Sequence, residues 1–292
     1  MEQRIKGTTG LLALIGSPVG HSGSPAMYNF SFQYHNLDYA YMAFDIKEDQ
    51  VPAALDAMRL FKMRGCNVTM PCKNKVAQCV DELSPAAKII GAVNTIVNED
   101  GKLVGHITDG IGFMAALKDN NIDAIGKKMT IVGAGGAATA IEIQAALDGV
   151  GEIVIFNRKD EFWGRAVSTV EKINTRTSSH AVLYDLADLD QLKKEMADSY
   201  IFVNATGVGM KPLEGQSVVP DKSYFRPELI VVDVPYSPLE TAMRSMAKEV
   251  GCKTMNGLGM MLFQGSAAFE LWTGEPMPIE HMKEILNIRY DD

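Results

Sequence analysis

The stretch Met129-Thr-Ile-Val-Gly-Ala-Gly-Gly-Ala-Ala138 decides the fold of this chain. A short strand-like run leads directly into Gly133-x-Gly135-x-x-Ala138, and a segment rich in alanine and isoleucine follows. Glycines at this spacing, between a strand and a helix, let backbone amides approach a pyrophosphate at the positive end of the helix. The alternative is a tight turn whose small residues serve packing alone. We interpret the stretch as the first β–α unit of a dinucleotide-binding domain.

Strand-sized apolar runs continue beyond this unit. They are Ile153-Val-Ile-Phe156, Tyr200-Ile-Phe-Val203 and Leu229-Ile-Val-Val232, and a helical pattern around 165–173 lies between the first two. Continuous apolar strands that alternate with helices are typical of a parallel sheet with both faces covered. The sequence therefore predicts a Rossmann-like, doubly wound parallel sheet.

The chain before Gly126 also alternates strands with helices. Leu11–Ile15, Tyr39–Phe44 and 67–69 are strand-like, while Ser24-Pro25 and Ser84-Pro85 each place a capping serine at a helix start. The end of the chain, from 257 onward, is mainly helical and has no further strand. We predict an α/β protein of two domains: a dinucleotide-binding domain at 113–255, and a mixed α/β substrate-binding and catalytic domain at 1–112 and 256–292 that the C-terminal helices complete.

Composition narrows the class of partner. The 292 residues carry 28 basic and 36 acidic side chains, a net charge of −8, with the basic residues scattered. This distribution argues against nucleic acid or an anionic membrane as partner and favours a small-molecule ligand. Cys66, Cys72, Cys79 and Cys252 have no metal-ligand spacing, so we expect no metal. No apolar run is long enough to span a membrane and no signal peptide is recognisable, so we expect a cytoplasmic protein.

A charged turn follows the second strand of the dinucleotide-binding domain. There Asp160 would accept hydrogen bonds from a ribose 2′-hydroxyl, whereas Arg158 would favour a 2′-phosphate. The alternative is a solvated turn that binds nothing. We expect NAD to be preferred and NADP to be used more weakly. The predicted cofactor-binding residues are Gly133, Ala134, Gly135, Gly136, Ala137, Asn157, Arg158 and Asp160.

Polar residues in the first domain predict a second site. Ser22 and Ser24 lie in a loop that opens a helix, and their hydroxyls could hold a carboxylate without a cation. Lys73 stands near a helix start, where the helix dipole disfavours a cation, and this placement invites a functional explanation. The alternative, a flexible surface lysine, is the commoner case for a lysine taken at random. Asp100-Gly101 predicts a two-residue hairpin turn that places Asn94 opposite Ile107 and within reach of Asp109.

Gln264 lies on the apolar stripe of a predicted helix, with small and apolar residues at i+3, i+4 and i+7. A buried amide needs hydrogen-bond partners. Those partners could be the hydroxyls of a ligand or merely backbone groups, and both interpretations stay open.

Taken together these motifs resemble the shikimate dehydrogenase family over nearly the whole chain. The resemblance implies that Lys73 and Asp109 form a catalytic pair, and that Ser22 and Ser24 bind the substrate carboxylate. It assigns Thr69, Asn94, Tyr236 and Gln264 to the ring hydroxyls or their surroundings. The segments that carry it are 16–25, 67–73, 92–95, 108–110, 133–138, 233–238 and 257–264.

Within the family, the turn Asn157-Arg-Lys-Asp-Glu-Phe162 is similar to that of the quinate/shikimate dehydrogenase branch, which accepts NAD. The implied activity is hydride transfer between NAD(P) and C3 of shikimate, and of quinate as a further substrate, in a cleft between the domains. Three positions depart from the family pattern: Ile107 replaces an asparagine, Tyr28 stands where histidine is common, and Gly23 separates the two serines.

These departures keep two alternatives open. One is a dehydrogenase for another ring hydroxy acid, and the other is a dinucleotide-sensing regulatory protein without turnover. Retention of Lys73 and Asp109 speaks against the regulatory protein. The sequence does not decide the oligomeric state, and a homodimer stays open.

Overall fold

The computed structural model describes residues 5–20, 22–286 and 288, so His21 of the serine loop lies outside the described residues. The chain divides into two compact units. Unit 1 comprises Met1–Thr108 together with Gln264–Leu286, and unit 2 contains Asp109–Phe263. The limits predicted for the functional domains, after 112 and 255, stay a prediction.

Unit 1 contains a mixed sheet whose described strands follow the order β2-β1-β3-β5-β6-β4. Strands β1, β2 and β3 are parallel, whereas β5 is antiparallel to both β3 and β6. The strands are β1 (Gly10–Gly16), β2 (Tyr39–Asp45), β3 (Gly65–Val68), β4 (Glu82–Leu83), β5 (Thr95–Glu99) and β6 (Lys102–His106). The helices among them are α1 (Ser24–Tyr34), α2 (Val51–Leu60), α3 (Lys73–Cys79) and α4 (Pro85–Ile90).

Unit 2 contains a parallel sheet whose described strands follow the order β9-β8-β7-β10-β11-β12. Numbered within the unit, this is the order 3-2-1-4-5-6 of the doubly wound dinucleotide-binding fold. The strands are β7 (Lys128–Val132), β8 (Glu152–Asn157), β9 (His180–Asp185), β10 (Ile201–Asn204), β11 (Ile230–Asp233) and β12 (Thr254–Met255). The helices are α5 (Asp109–Asp119), α6 (Gly136–Asp148), α7 (Trp163–Arg176), α8 (Leu189–Asp198) and α9 (Ala242–Val250).

Two helices end the described chain, α10 (Leu258–Thr273) and α11 (Ile279–Leu286). The part of α10 that belongs to unit 1 is anchored there by Trp272, which is buried and donates from Nε1 to the carbonyl of Ile96 on β5 at 2.9 Å. Within the described residues, no helix has both the length and the apolar content needed to cross a membrane.

The prediction of an α/β fold with a Rossmann-like parallel sheet is confirmed. Strands β7, β8 and β10 are buried on both faces, which explains why their sequences are continuous apolar runs instead of alternating patterns. The core of unit 2 includes the fully buried side chains of Phe156, Phe202 and Leu192. Phe156 and Phe202 of the sheet share this buried cluster with Leu192 of α8, and its burial holds the helix against the sheet.

One predicted helix cap is wrong. Ser84 caps α4 as expected, because its hydroxyl accepts from the N–H of Ala87 at 3.4 Å. Ser24 does not cap α1: it is already the first helical residue, Gly23 takes the cap position, and no side chain caps this end. The hydroxyl one step further out, on Ser22, accepts from the N–H of Ser24 at 3.2 Å.

Candidate active site

In unit 1, the loops that follow β1 and β3 lie side by side at the carboxyl ends of these parallel strands. The N–H of Ser17 donates to the carbonyl of Met70 at 3.0 Å. Gly16 has a φ of +148°, and a Cβ there would lie 2.4 Å from Cγ2 of Thr69, so only glycine permits this approach. The loop that continues to Ser22 and Ser24 therefore starts against the segment that carries Thr69.

Lys73 begins helix α3 in the same unit, as the sequence predicts. Its carbonyl accepts from the N–H of Val93 at 3.1 Å, which ties the start of α3 to the residue before Asn94. The carbonyl of Asn94 in turn accepts from the N–H of Val68 at 2.7 Å. The backbones that carry Lys73, Asn94 and the end of β3 are thus directly bonded to one another.

The predicted hairpin is confirmed, with Glu99 paired with Lys102 and Thr95 with His106. Beyond its open end, Oδ1 of Asn94 accepts from the N–H of Thr108 at 2.8 Å, and Nδ2 of Asn94 donates to the Thr108 hydroxyl at 3.0 Å. That hydroxyl also lies 3.4 Å from Oε1 of Gln264. The structure therefore joins Asn94 and Gln264, two of the predicted site residues, through Thr108.

Sequence reasoning missed the buried groups that orient Asn94. The hydroxyl of Tyr41 donates to Oδ1 of Asn67 at 2.7 Å, and Nδ2 of Asn67 donates to the hydroxyl of Thr95 at 3.1 Å. Thr95 then donates to Oδ1 of Asn94 at 3.1 Å. Burial raises the pKa of Tyr41 well above its usual value, so its hydroxyl stays a donor. Pairing of β3 with β5 places Asn67 opposite Thr95, but no local pattern links it to Tyr41.

In unit 2, the glycine turn lies where the strand order reverses, between β7 and β10. Gly133 has a φ of +123°, and a Cβ there would lie 3.0 Å from the carbonyl oxygen of Ala205. Gly135 is the N-cap of α6, and a Cβ on it would meet nothing within 4 Å. The first amides of α6 are thus unobstructed by side chains, an arrangement suited to a phosphate.

A cavity of about 380 Å³ opens beside this turn. Six of the predicted cofactor-binding residues line it: Gly133, Ala134, Gly135, Asn157, Arg158 and Asp160. Gly136 and Ala137 instead form the first turn of α6 and are not among its lining residues. Residues that the sequence did not predict also line the cavity, among them 205–208 after β10 and 216–218. The cavity and the glycine turn fit a bound dinucleotide.

Asp160 holds the charged turn together. Its Oδ1 accepts from the N–H of Phe162 at 3.0 Å and from Nδ2 of Asn157 at 3.1 Å. Its Oδ2 lies 3.6 Å from Nε of Arg158, whose side chain is 79% exposed. Since one oxygen is engaged in the turn, Oδ2 is the atom available to a ligand, and an exposed arginine competes for it.

The remaining predicted residues belong to unit 2. Asp109 begins helix α5, and Tyr236, which follows β11, is 43% exposed. Lys73 belongs to unit 1, so the predicted catalytic pair combines a residue from each unit. Throughout 5–20, 22–286 and 288, no group of three or more histidine, cysteine or acidic residues is placed to hold a metal ion.

The fold and these polar residues define a class: two-unit α/β proteins in which a doubly wound, dinucleotide-binding sheet accompanies a mixed α/β unit with polar groups at its strand ends. The substrate binding domain of shikimate dehydrogenase matches residues 14–96 of this chain. The shikimate 5'-dehydrogenase C-terminal domain matches residues 257–286. The chain belongs to the shikimate dehydrogenase family, as the resemblance of its motifs predicts.

Similar proteins cover almost the whole chain. The shikimate dehydrogenase (NADP(+)) of Listeria innocua is 56% identical over 97% of this chain and 98% of its own. The structure of shikimate 5-dehydrogenase from Listeria monocytogenes in complex with shikimate and NAD has a TM-score of 0.96 at 55% identity, over 98% of this chain and 99% of its own. Quinate dehydrogenase from Corynebacterium glutamicum in complex with NAD has a TM-score of 0.84 at 29% identity, over 96% of this chain and 99% of its own.

Proposed function

We propose that this chain catalyses the reversible, NAD(P)-dependent oxidation of shikimate to 3-dehydroshikimate. The observation that carries the proposal is the full-length likeness, with a TM-score of 0.96, to the Listeria monocytogenes enzyme solved with shikimate and NAD. The polar residues at the strand ends of unit 1 and the glycine turn of unit 2 supply a place for each ligand.

In this proposal, Lys73 and Asp109 transfer the proton of the substrate's C3 hydroxyl. A bound nicotinamide accepts a hydride from C3 in the oxidative direction. Lys73 takes the proton of the C3 hydroxyl as the C3–H bond breaks, and returns a proton to the oxygen in the reverse direction. Asp109 is the proposed partner of Lys73 in this proton transfer. Both start helices, α3 and α5, which fixes their backbones.

The other predicted substrate-binding residues hold the ring acid. Ser22 and Ser24 donate hydroxyl hydrogen bonds to the carboxylate, in a protein of net charge −8 where a local donor is needed. Asn94 and Gln264 bind ring hydroxyls, and their link through Thr108 supports this role because it fixes both amides relative to each other. Thr69 and Tyr236 complete the surroundings of the ring.

For the cofactor we propose a preference for NAD over NADP. Asp160 lines the cavity of unit 2 and can accept from the ribose hydroxyls, whereas a 2′-phosphate would meet its negative charge. The Listeria monocytogenes structure contains NAD, although the curated Listeria innocua relative is named for NADP(+). Arg158, which is exposed, keeps NADP usable.

Quinate is proposed as a second substrate, since it offers the same carboxylate and ring hydroxyls. The similarity to the Corynebacterium glutamicum quinate dehydrogenase supports it. Ile107 bears on the choice of acid because it is apolar and 4% exposed beside Thr108, where the family pattern has a hydrogen-bonding side chain. A different ring hydroxy acid is therefore the competing enzymatic interpretation.

Steady-state kinetics with shikimate and quinate, each against NAD⁺ and NADP⁺, test the proposal. We expect turnover with shikimate and a higher kcat/KM with NAD⁺ than with NADP⁺. Dinucleotide binding without turnover of either acid would instead favour the regulatory protein. Turnover of another ring hydroxy acid with neither of these two would identify a different substrate.

A further inference from the structure

Asp233 is a buried carboxylate that the proposed mechanism does not use. It ends strand β11 opposite Asn204, which ends β10, and neither side chain is more than 1% exposed. Nδ2 of Asn204 donates to Oδ1 of Asp233 at 2.7 Å. The hydroxyl of Thr241 donates to the other carboxylate oxygen, Oδ2. Both oxygens are thus engaged, and the amide of Asn204 can point only one way.

That orientation fixes the segment after β10. Oδ1 of Asn204 accepts from the N–H of Thr206 at 3.1 Å and from its hydroxyl at 2.7 Å. Nδ2 of Asn204 also donates to the carbonyl of Val208 at 3.1 Å, and the N–H of Val208 donates to the hydroxyl of Thr206 at 3.1 Å. If the amide were reversed, its oxygen would face the acceptor oxygens of Asp233 and Val208, and its NH₂ group would face the N–H of Thr206.

The segment so fixed, 205–208, lines the cavity beside the glycine turn. The carbonyl oxygen of Ala205 lies so close to Gly133 that a Cβ atom on this glycine would be only 3.0 Å from it. A shift of this backbone would therefore change the cavity on the side opposite the charged turn.

We propose that Asp233 is a positioning residue for the dinucleotide: through Asn204 it sets the backbone of 205–208 that forms one wall of the cavity. The inference rests on the proposed function only in taking this cavity as the dinucleotide site. Asp233 does not touch the ligand in this account, so its loss weakens dinucleotide binding without removing a direct contact.

The negative charge of Asp233 contributes to this positioning of Asn204. Burial raises the pKa of Asp233 to about 6, against the opposing effects of the Thr241 and Asn204 hydrogen bonds and of the positive charge of Arg244. Glu240, a further acid near it, pairs with Arg244 at 3.4 Å and with Lys248 at 2.8 Å. Below this pKa the carboxyl is neutral, and a neutral acceptor holds the Asn204 amide less firmly than a carboxylate does.

Dinucleotide binding across a pH range tests this role. Dissociation constants for NAD⁺ and NADP⁺ are measured by calorimetry from pH 5 to pH 8 with the wild type and with Asp233→Asn, which keeps the shape and removes the charge. At pH 8 we expect the variant to bind about tenfold more weakly, the effect of losing a hydrogen bond to a charged group. The KM for shikimate at saturating dinucleotide should stay within about twofold, since the ring acid is held in unit 1.

As the pH falls to 5, wild-type binding should weaken about fivefold and the ratio of variant to wild type should shrink to about twofold, as expected for a group with a pKa near 6. The ratio cancels any titration of the dinucleotide itself. Asn204→Ala should weaken binding as much, and the double variant no more than Asn204→Ala alone, because the two residues act in series.

Glu195→Gln is the matched control. Glu195 is also buried and charge-paired, but it bonds Lys128 at 2.5 Å at the opposite end of β7. Its loss should leave dinucleotide affinity unchanged. If Asp233→Asn fails to fold, Asn204→Ala and the wild-type profile for NAD⁺ decide together, because NAD⁺ has no 2′-phosphate to titrate and the inference requires its binding to weaken below pH 6.

An unchanged dissociation constant in Asp233→Asn, or a wild-type affinity that is flat from pH 5 to pH 8, would overturn the inference. Shikimate turnover by the wild type in that experiment would leave the proposed function standing. Conversely, a pH-dependent Asp233 effect on binding in a protein that turns over no ring acid would support the inference and reject the proposed function.

Discussion

Lys73 occupies a position that costs stability, since a cation at the first residue of a helix faces the positive end of the helix dipole. A residue kept at such a cost suits a chemical role. We predict that Lys73→Ala and Asp109→Ala each lower kcat at least about 100-fold, the low end for lost acid–base help, and that the double variant is little worse than either. Steady-state kinetics measure this.

The matched control is Lys75→Ala, which removes another lysine of the same helix and should leave kcat unchanged. Near wild-type kcat in either single variant, with the best substrate, would eliminate the proposed pair.

Ser22 and Ser24 differ in what their removal should do. Ser22→Ala should raise the KM for shikimate about tenfold, the effect of one hydrogen bond to a charged group, with a smaller effect on kcat. Ser24→Ala should raise KM too, but its free energy of unfolding should stay within about 0.5 kcal/mol of the wild type, because Ser24 caps no helix. Kinetics and denaturant unfolding measure the two effects. Equal binding of an analogue without the carboxylate would speak against both serines.

Asp160 should set the choice of cofactor. We predict that the wild type favours NAD⁺ about 5- to 30-fold in kcat/KM, and that Asp160→Ala narrows or reverses the ratio by removing the carboxylate and leaving Arg158. Asp160→Asn sharpens the test, because an amide oxygen can still accept from the N–H of Phe162 and so keep the turn. Glu161→Gln, which removes the neighbouring charge, serves as control. A ratio that does not move in Asp160→Asn would assign the carboxylate to the turn alone.

Helix α6 contains a buried titratable side chain, Glu142, for which the described residues supply no hydrogen bond. Glu142 is fully buried, and neither of its carboxyl oxygens has a partner among the described residues. Burial raises the pKa of Glu142 from 4.5 to about 8. Because the folded state binds this proton more tightly than the unfolded chain, its stabilising effect is complete below about pH 4.5 and is lost as the pH rises through about 8.

We predict that the free energy of unfolding of the wild type falls relative to that of Glu142→Gln by several kcal/mol, on the order of 3 to 5, between pH 5 and pH 9. Urea unfolding across this range measures it. Glu171→Gln, an exposed change on α7, should show no such trend. A constant difference between wild type and Glu142→Gln would mean that Glu142 is solvated or partnered in solution.

At the level of elements, sequence predicted what is locally encoded. The β7–α6 unit follows from its glycines, and the β5–β6 register follows from Asp100-Gly101 because a two-residue turn leaves no freedom in pairing. The strand β9 and the helices α8 and α9 were not predicted. The sequence of β9, His180-Ala-Val-Leu-Tyr-Asp185, is less apolar, which suits a strand at the edge of the sheet.

The candidate site was predictable to a similar extent. Asn94 and Gln264 could be singled out one by one, but Thr108, which links them, was not predicted, because its contact with Gln264 joins residues 156 positions apart and depends on tertiary packing. The link between Asn204 and Asp233 was not predicted for the same reason, since only the pairing of β10 with β11 brings these two residues together. The cap assigned to Ser24 failed because the helix starts one residue earlier than the Ser-Pro pattern indicates.

At the scale of the whole molecule, the proposed function requires unit 1 to hold the ring acid and unit 2 to hold the dinucleotide. It also requires Lys73 and Asp109 to transfer the hydroxyl proton as the hydride moves. Because the net charge is −8, the proposed function assigns recognition of an anionic substrate and cofactor to local donors: serine hydroxyls in unit 1 and backbone amides of α6 in unit 2.

Turnover of shikimate deuterated at C3 tests whether the C3 hydrogen moves to the dinucleotide as hydride. The wild type is supplied with the labelled acid and NAD⁺, and the reduced dinucleotide and the solvent are analysed for deuterium by mass spectrometry and NMR. The proposed hydride transfer predicts that every reduced dinucleotide carries one deuterium and that none reaches the solvent, because the C3 hydrogen moves as hydride while only the hydroxyl proton passes through Lys73. Reduced dinucleotide without the label, or deuterium retained on the ring of the oxidised product, would contradict it.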